Sequence, residues 1–349
     1  MKEGYRLLGD FIQPVDERNR DLKVDYLLGV SISKQFIPSI ANIVGTDLSS
    51  YKIVRTGQFA YGPVTSRNGE KISIALLQDK DCIISSSYTV FEVTDNERLD
   101  PEYLMLWFSR PEFDRYTRYM SHGSVREIFD WDELCKVELP VPSIEKQRGI
   151  VKAYNTITDR IELKRKINDN LEAVLAASHS KMFFSMDTSE HSKLGELMTF
   201  GNGKSRPKTD GPIPVYGGNG VLSYTDHHNI ENAVLIGRVG AYCGSVYLEQ
   251  GICWVSDNAI FAKSKITKDE FFDYFLLKRL NLFNHHVGTG QQLLTQEILN
   301  NIEVPKPVTE QIELFNRKAA SVFETLFTNS REIIRLQELS DLLLSRFAG

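Results

Sequence analysis

Hydrophobic positions along the chain alternate between two regimes. Ile150, Tyr154, Ile157, Ile161, Leu171 and Leu175 recur at steps of three and four or their multiples, and the spacing returns at Ile312, Phe315, Ala319, Val322, Leu326, Ile333 and Leu336. A stripe of that period predicts an amphipathic helix. Pro142 and Pro307 stop the strand before each stripe, and "SIEKQ" and "VTEQ" then supply Ser or Thr followed by Glu or Gln, a capping signal. Each helix is expected to run roughly 40 residues, about 60 Å. Helices of that length have no room inside a small domain, so the two are expected to pack on each other as a coiled coil, loosened where Lys164, Asn168 and Ser330 break the heptad.

Between the stripes the pattern shortens to β-branched runs punctuated by Gly and Pro. "YKIVRTGQFAYG", "KISIALL" and "CIISSSYTVFEV" read as strands, as do "AVLIGRV", "GSVYLEQGICWV" and "AIFAKS". Two strand-rich α+β domains are therefore expected at 1–144 and 187–308, with helices at 145–186 and 309–349.

The two halves are copies. At one constant offset Gly123 meets Gly288, Leu134 meets Leu299, Glu138 meets Glu303, and Pro140 and Pro142 meet Pro305 and Pro307. "IISSSYTVF" matches "CWVSDNAIF", and "PEYLMLWFSRPEFDRY" resembles "DEFFDYFLLKRLNLFN", each expected as a short amphipathic helix. A unit folding onto its own copy predicts a pseudo-two-fold axis.

Composition narrows the class. The chain has 349 residues, 42% of them hydrophobic and 25% charged, as expected of an ordinary globular protein of more than one domain. It shows neither a membrane span nor a secretory leader. Cys82, Cys135, Cys243 and Cys253 stand singly, which argues against a zinc or disulfide framework and for a reducing cytoplasm. The net charge of −5 alone argues mildly against a nucleic-acid binder. Catalytic motifs are missing. "FGNGKS" resembles the end of a P-loop, but Met198 occupies the position of the first glycine. "GRVGAYCG" is misspaced for a dinucleotide loop, and the Asn/Asp-Pro-Pro-aromatic tetrapeptide of amino-methyltransferases does not occur. His227–His228 and His285–His286 have no ligand series beside them. The sequence reads as a recognition protein rather than an enzyme.

The order of domains and helices, the joints "VELPVPSIEKQ" and "IEVPKPVTEQ", and the loops "IPVYGGNGVLSY" and "VSISKQFIPS…YKIVRTGQFAYGP" closely resemble the specificity subunits of type I restriction-modification systems. The resemblance covers essentially the whole chain, with shorter helices than larger members and little chain before the first domain. It implies two target-recognition domains, each reading one half of a bipartite, asymmetric double-stranded DNA target. The helices would form an antiparallel coiled coil that sets the half-site spacing and docks two methyltransferase subunits, which a restriction subunit joins. No cofactor is expected on this chain; S-adenosylmethionine, ATP and Mg belong to the partner subunits. Those partners can also supply much of the phosphate neutralisation that a chain of negative charge does not. The competing readings are a self-contained enzyme, which the missing motifs oppose, and a paralogue that binds DNA or a partner without supporting methylation.

Candidate contacts follow from residue chemistry. Lys204, Arg206 and Lys208 lie on a Gly/Pro loop and suit phosphates or a solvated surface. In "VYGGNG", Tyr216 and Asn219 could touch bases while Gly217 and Gly218 allow close approach, or all four could shape a tight hairpin. Arg238 could read guanine, hold a phosphate or close an internal salt bridge. Ser256, Asp257 and Asn258, like Ser85, Ser86 and Ser87 at the matching place, could face DNA or satisfy a buried turn. Thr289, Gln291 and Gln292 match Ser124, Arg126 and Glu127 just before the joints, the kind of exchange expected if the halves read different bases. Lys34, Gln35, Tyr61 and Arg67 complete the first-domain candidates. Near the helix starts, Gln147, Arg148, Gln311 and Arg317 are candidate methyltransferase contacts.

Overall fold

A computed structural model describes residues 4–39, 45–66, 68–69, 71–122, 127–183, 190–288 and 290–346. It divides into two compact units, 1–163 with 333–349 and 164–332, so each contains part of both long helices.

The first half runs β1 (Tyr5–Leu7), β2 (Ile12–Val15), β3 (Leu28–Val30), β4 (Phe36–Pro38), β5 (Lys52–Val54), β6 (Phe59–Tyr61), β7 (Ile74–Leu76), β8 (Cys82–Ile84) and β9 (Thr89–Val93). Then come α1 (Pro101–Phe108), α2 (Pro111–Met120), α3 (Trp131–Cys135), β10 (Glu138–Pro140) and the long α4 (Ile144–Phe183). The second half runs β11 (His191–Lys193), α5 (Leu194–Leu197), β12 (Met198–Asn202), β13 (Ile213–Gly217), β14 (Gly220–Thr225), β15 (Ile230–Gly237), β16 (Val246–Val255) and β17 (Ala259–Ser264). It closes with α6 (Phe271–Arg279), α7 (Gln296–Asn301), β18 (Glu303–Pro305) and the long α8 (Thr309–Arg346).

The stretch 101–116, expected as one helix, is two. Pro111 drives the residue before it out of the helical region, and Arg110 is extended at φ −73°, ψ 140°. The first of the pair starts cleanly: Asp100 accepts a bond from Tyr103 N and Pro101 takes the first turn. In the second half α6 stops before Asn281, which adopts a left-handed φ of 45°.

Strand pairing confirms the duplication. The second unit holds one six-stranded sheet, β12-β17-β15-β16-β13-β14, and the first a four-stranded sheet, β2-β9-β6-β7, with separate β3-β4 and β5-β8 pairs. In the first, Phe91 lies opposite Phe59 and Pro14; in the second, Phe261 lies opposite Leu235 and Gly201. Ile53 faces Ile83 as Ile230 faces Cys253. The long β15 and β16 thus correspond to β5 plus β6 and β7 plus β8, which the first unit breaks into shorter pieces. A parallel bridge from Leu27 to Ile83 matches the parallel pairing of Val215 with Trp254, so hairpin β3–β4 is the counterpart of β13–β14. Apolar strand residues meet helices in each core: Phe59 stacks on Phe91 at 4.9 Å and both meet Phe108 of α1 edge-on.

Matching clasps join each domain to its helix. Antiparallel β1–β10 pairs Tyr5 with Pro140, and β11–β18 pairs His191 with Pro305. Ser143 O accepts from Gln147 N at the start of α4. At α8 the accepting carbonyl is that of Val308, one residue before the threonine expected to cap it.

The long helices run antiparallel. In the first unit Val151 shares a core with Leu344, and in the second Phe183 shares one with Ile312 and Phe315. The duplication offset reappears as a contact: Lys164 Nζ donates to Asn329 Oδ1 at 2.9 Å across 165 residues. Lys164 and Asn329 are equivalent residues of the two helices, and they meet within the second unit. Asn329 also donates to Asn168 Oδ1 at 2.8 Å, and Lys164 pairs with Glu332 at 2.7 Å. The expected breaks at Lys164 and Asn168 are therefore a polar layer within continuous helices, the kind of layer that fixes register at some expense of stability.

Candidate nucleic-acid interface

The glycine-rich stretch of the second half folds as hairpin β13–β14. The register slips by one residue after Val215, bringing Tyr216 opposite Val221 and Gly217 opposite Gly220. Two residues, Gly218 and Asn219, are left as the tip, closed by Gly220 at φ +78°. Tyr216 is half-buried, and its hydroxyl donates to Glu249 Oε2 at 3.0 Å. Burial and the neighbouring carboxylate raise its phenol pKa. Tyr216 is thus committed to the sheet, Gly217 is buried, and Asn219 alone of the four candidates is fully displayed.

Two further segments meet this tip, and the chain around Lys204 and Gln292 bonds to them in turn. A Cβ on Gly218 would lie 3.7 Å from both Asn258 O and Tyr242 Cβ and 3.8 Å from Val239 O. At Gly237 a Cβ would stand 2.2 Å from Tyr242 O, so that position admits only glycine. Arg238 N donates to Asn258 O at 3.0 Å, and Arg238 O accepts from Leu294 N at 2.9 Å. Gln292 O accepts from Gly240 N at 3.0 Å, and Lys204 N donates to Val255 O at 2.9 Å. Backbone bonds therefore bring Lys204, Asn219, Arg238, Asn258 and Gln292 to one end of the second unit. Asn258 and Gln291 are exposed, whereas Ser256 is buried with its hydroxyl unbonded. Among the described residues no carboxylate pairs with Arg238, so the internal salt bridge weighed from sequence does not form there.

Arg206 and Lys208 lie further along the hairpin. They line a hollow of about 290 Å³ with Ser223 and Tyr224, four residues from the tip along β14, or about 14 Å of strand. Sequence reasoning missed two tyrosines: Tyr242 is 50% exposed beside the tip and Tyr224 is 56% exposed over the basic loop. An aromatic in a Gly-rich loop after an apolar strand, as in "GRVGAYCG", was the available signal for Tyr242.

The first unit corrects two expectations. Tyr61 has no exposed surface and cannot reach a ligand. Lys34 is not a surface cation: its ammonium sits 2.9 Å from Asp114 Oδ1, with both side chains nearly sealed, and also donates to Phe108 O. Burial lowers its pKa despite the attraction of Asp114. Gln35 and Ser86 are exposed, and the half-buried Ser85 shares a hydroxyl hydrogen bond with exposed Ser87 at 3.1 Å. Ser85 O accepts from Tyr88 N at 3.1 Å as Ser256 O accepts from Ala259 N at 3.0 Å, so the two polar turns are the same turn. Arg67, Ser124, Arg126 and Thr289 lie outside the described residues.

At the helix starts Gln147 is wholly buried. It accepts from Asp100 N at 2.9 Å and donates to Arg98 O and Pro142 O, so it locks α4 to the start of α1 rather than meeting a partner. Asn316 does the same in the second half, accepting from Phe272 N at 2.9 Å and donating to Asp269 O. Arg148 pairs with Glu97 at 2.7 Å, and Arg317 is exposed. Among the described residues no group of three or more His, Cys, Asp or Glu could hold a metal ion, and no helix is long and apolar enough to cross a membrane.

This architecture defines a class: proteins built from two unlike copies of one strand-rich domain, each clasped to a long helix of an antiparallel pair. Residues 39–173 and 186–342 match the family described as type I restriction modification DNA specificity domain, and the chain belongs to that family. Its role is DNA sequence specificity. It is 21% identical over 295 residues to the type I restriction enzyme MjaIX specificity subunit of Methanocaldococcus jannaschii, covering 70% of this chain and 67% of that one. It is 25% identical over 154 residues to the HindI specificity subunit of Haemophilus influenzae, 42% of this chain and 32% of the relative. The fold is shared with the crystal structure of the type I restriction-modification S subunit from M. genitalium, at TM-score 0.66 and 17% identity over 99% of this chain and 96% of that one. A structure described as showing complex assembly and conformational transition of the type I R-M system matches at TM-score 0.50 and 18% identity, over 100% and 99% of the two chains.

Proposed function

We propose that each strand-rich domain reads one half of a bipartite, asymmetric DNA target, while the helix pair sets the separation and docks two methyltransferase subunits. The observation that carries this is one turn and one hairpin occurring twice with different residues: Ser85–Ser86–Ser87 against Ser256–Asp257–Asn258, and a longer loop after β3 against the Gly218–Asn219 tip. A pseudo-dyad with identical loops would select a palindrome; unlike loops select two different half-sites. Phosphate contacts come from Lys204, Arg206 and Lys208 and from partner subunits, which offset the net charge of −5. Exposed Ile167 and Val174, one heptad apart on α4, and Arg317 on α8 are the surface offered to the methyltransferase. The chain is non-catalytic and cytoplasmic in this reading; S-adenosylmethionine, ATP and Mg act on the partner subunits.

The test is co-expression with the cognate modification subunit followed by sequencing of methylated genomic DNA. A bipartite motif carrying N6-methyladenine is expected. No methylation from a verified complex would overturn the proposal in favour of a paralogue that binds without supporting modification.

A further inference from the structure

Arg238 lies at the convergent end of the second unit and, among the described residues, closes no ion pair. Its backbone is fixed on both sides, by Asn258 O at 3.0 Å and by Leu294 N at 2.9 Å, with the Cys243 thiol also donating to its carbonyl. Its Nε is buried without a hydrogen-bond partner, whereas the two terminal nitrogens are not sealed from solvent. Many other arginines of the described residues are spoken for: Arg18, Arg55, Arg115, Arg118 and Arg148 all close ion pairs. An unpaired, partly buried arginine on an immobilised backbone is an arrangement that a ligand completes, because a buried donor without a partner is costly.

Its neighbours indicate what kind of ligand. Asn258 is bonded to it through the backbone, and Gly218 of the hairpin tip rests against Asn258 O and Val239 O, which brings Asn219 alongside. Beside it stand the amides of Asn219 and Asn258 and the exposed Tyr242, with Lys204 and Asp257 also at this end. A phosphate clamp needs only charge, which the Lys204–Lys208 loop already supplies. An arginine fork on a fixed backbone beside two amides suits a base edge: arginine pairs bidentately with O6 and N7 of guanine, asparagine with adenine.

We infer that Arg238 reads a guanine in the half-site taken by the second domain, with Asn219 and Asn258 discriminating beside it. This rests on the DNA-reading function proposed above. The experiment selects bound duplexes from a randomised pool using the full chain in complex with its modification subunit. Wild-type protein, Arg238→Ala and Arg238→Lys are compared, with circular dichroism as the folding control. Wild type is expected to return two half-sites, one carrying a guanine. Arg238→Ala should lower the preference for that one base pair about ten- to a hundredfold while leaving the other half-site unchanged. Arg238→Lys keeps charge and stem but not the fork, so it should lose the same preference and retain overall affinity. A uniform drop at all positions in Arg238→Ala with full rescue by Lys would make the residue a phosphate contact and overturn the inference. An unchanged motif in a folded variant would do the same. A wild-type complex that returns no motif would sink the DNA-reading function itself, a distinguishable result.

Discussion

The two recognition domains share a sheet plan but spend their polar residues differently at corresponding places. In the second, hairpin β13–β14 ends in a two-residue tip that displays Asn219 beside Arg238 and Asn258. In the first, hairpin β3–β4 carries a longer loop, and its lysine turns inward to a buried carboxylate. The lesson is that equivalence of position does not carry equivalence of arrangement: one hairpin displays an exposed amide at its tip, and the other uses its charge to hold its own domain together.

The largest expected effect breaks that internal use. Asp114→Ala would strand the Lys34 ammonium, whose side chain is only 8% exposed. Removing one partner of a buried pair costs about 3–5 kcal/mol. Thermal denaturation should show the first unit melting early with the second unaffected, whereas a surface role for Lys34 predicts almost no change.

Next come the two buried amides. Gln147→Ala removes bonds to Asp100 N, Arg98 O and Pro142 O, and Asn316→Ala removes those to Phe272 N and Asp269 O. Each should cost about 1–3 kcal/mol, confined to its own unit. If Gln147 were instead a methyltransferase contact, its variant would fold normally and fail in co-purification with the modification subunit.

A further effect depends on pH. His179 is buried among Phe183, Phe272 and Phe315, and burial lowers its pKa from 6.5 to about 3. Between those values the unfolded chain binds a proton that the folded one refuses. Stability contributed by the neutral ring is therefore complete above pH 6.5 and declines as pH falls toward about 3, by at most about 1.4 kcal/mol per pH unit. Asp273 acts oppositely: burial raises its pKa from 3.8 to about 8, so stability falls as pH rises through that window. The residue matched to His179 in the other helix is Leu344, itself buried. His179→Leu should remove the acid-side loss from the second unit and leave the opposite dependence set by Asp273; an unchanged acid-side slope would place the titration elsewhere.

The smallest effect concerns the basic loop. Lys204→Ala, Arg206→Ala and Lys208→Ala should each weaken binding to all duplexes alike and reduce the salt dependence by about 0.9 per lost phosphate contact. A changed recognition motif would instead assign that residue to base contact.

Much of this was legible in the sequence where the signal was periodic or repeated. The apolar stripe of Ile150 to Leu175 gave α4, and the joint prolines marked where strand gives way to helix. The match of "IISSSYTVF" to "CWVSDNAIF" gave the shared turn. What stayed hidden depended on long-range pairing. Lys34 and Asp114 are 80 residues apart, so nothing local marks the lysine as buried. Tyr216 turns into the sheet because register slips after Val215, a detail settled by Leu222 and the neighbouring strands rather than by the loop itself. Lys164 and Asn168 look like faults in a heptad until Asn329 is seen opposite them.

The central claim is that two copies of one fold specify two different half-sites. Its most direct test is the methylation motif of a chain in which residues 191–305 also replace 5–140, an exchange whose ends coincide with the matched clasp strands. Assembled with the modification subunit, this chain should methylate an inverted repeat of the second half-site. A motif that keeps the wild-type first half-site, or an assembled complex that methylates nothing, would contradict the account.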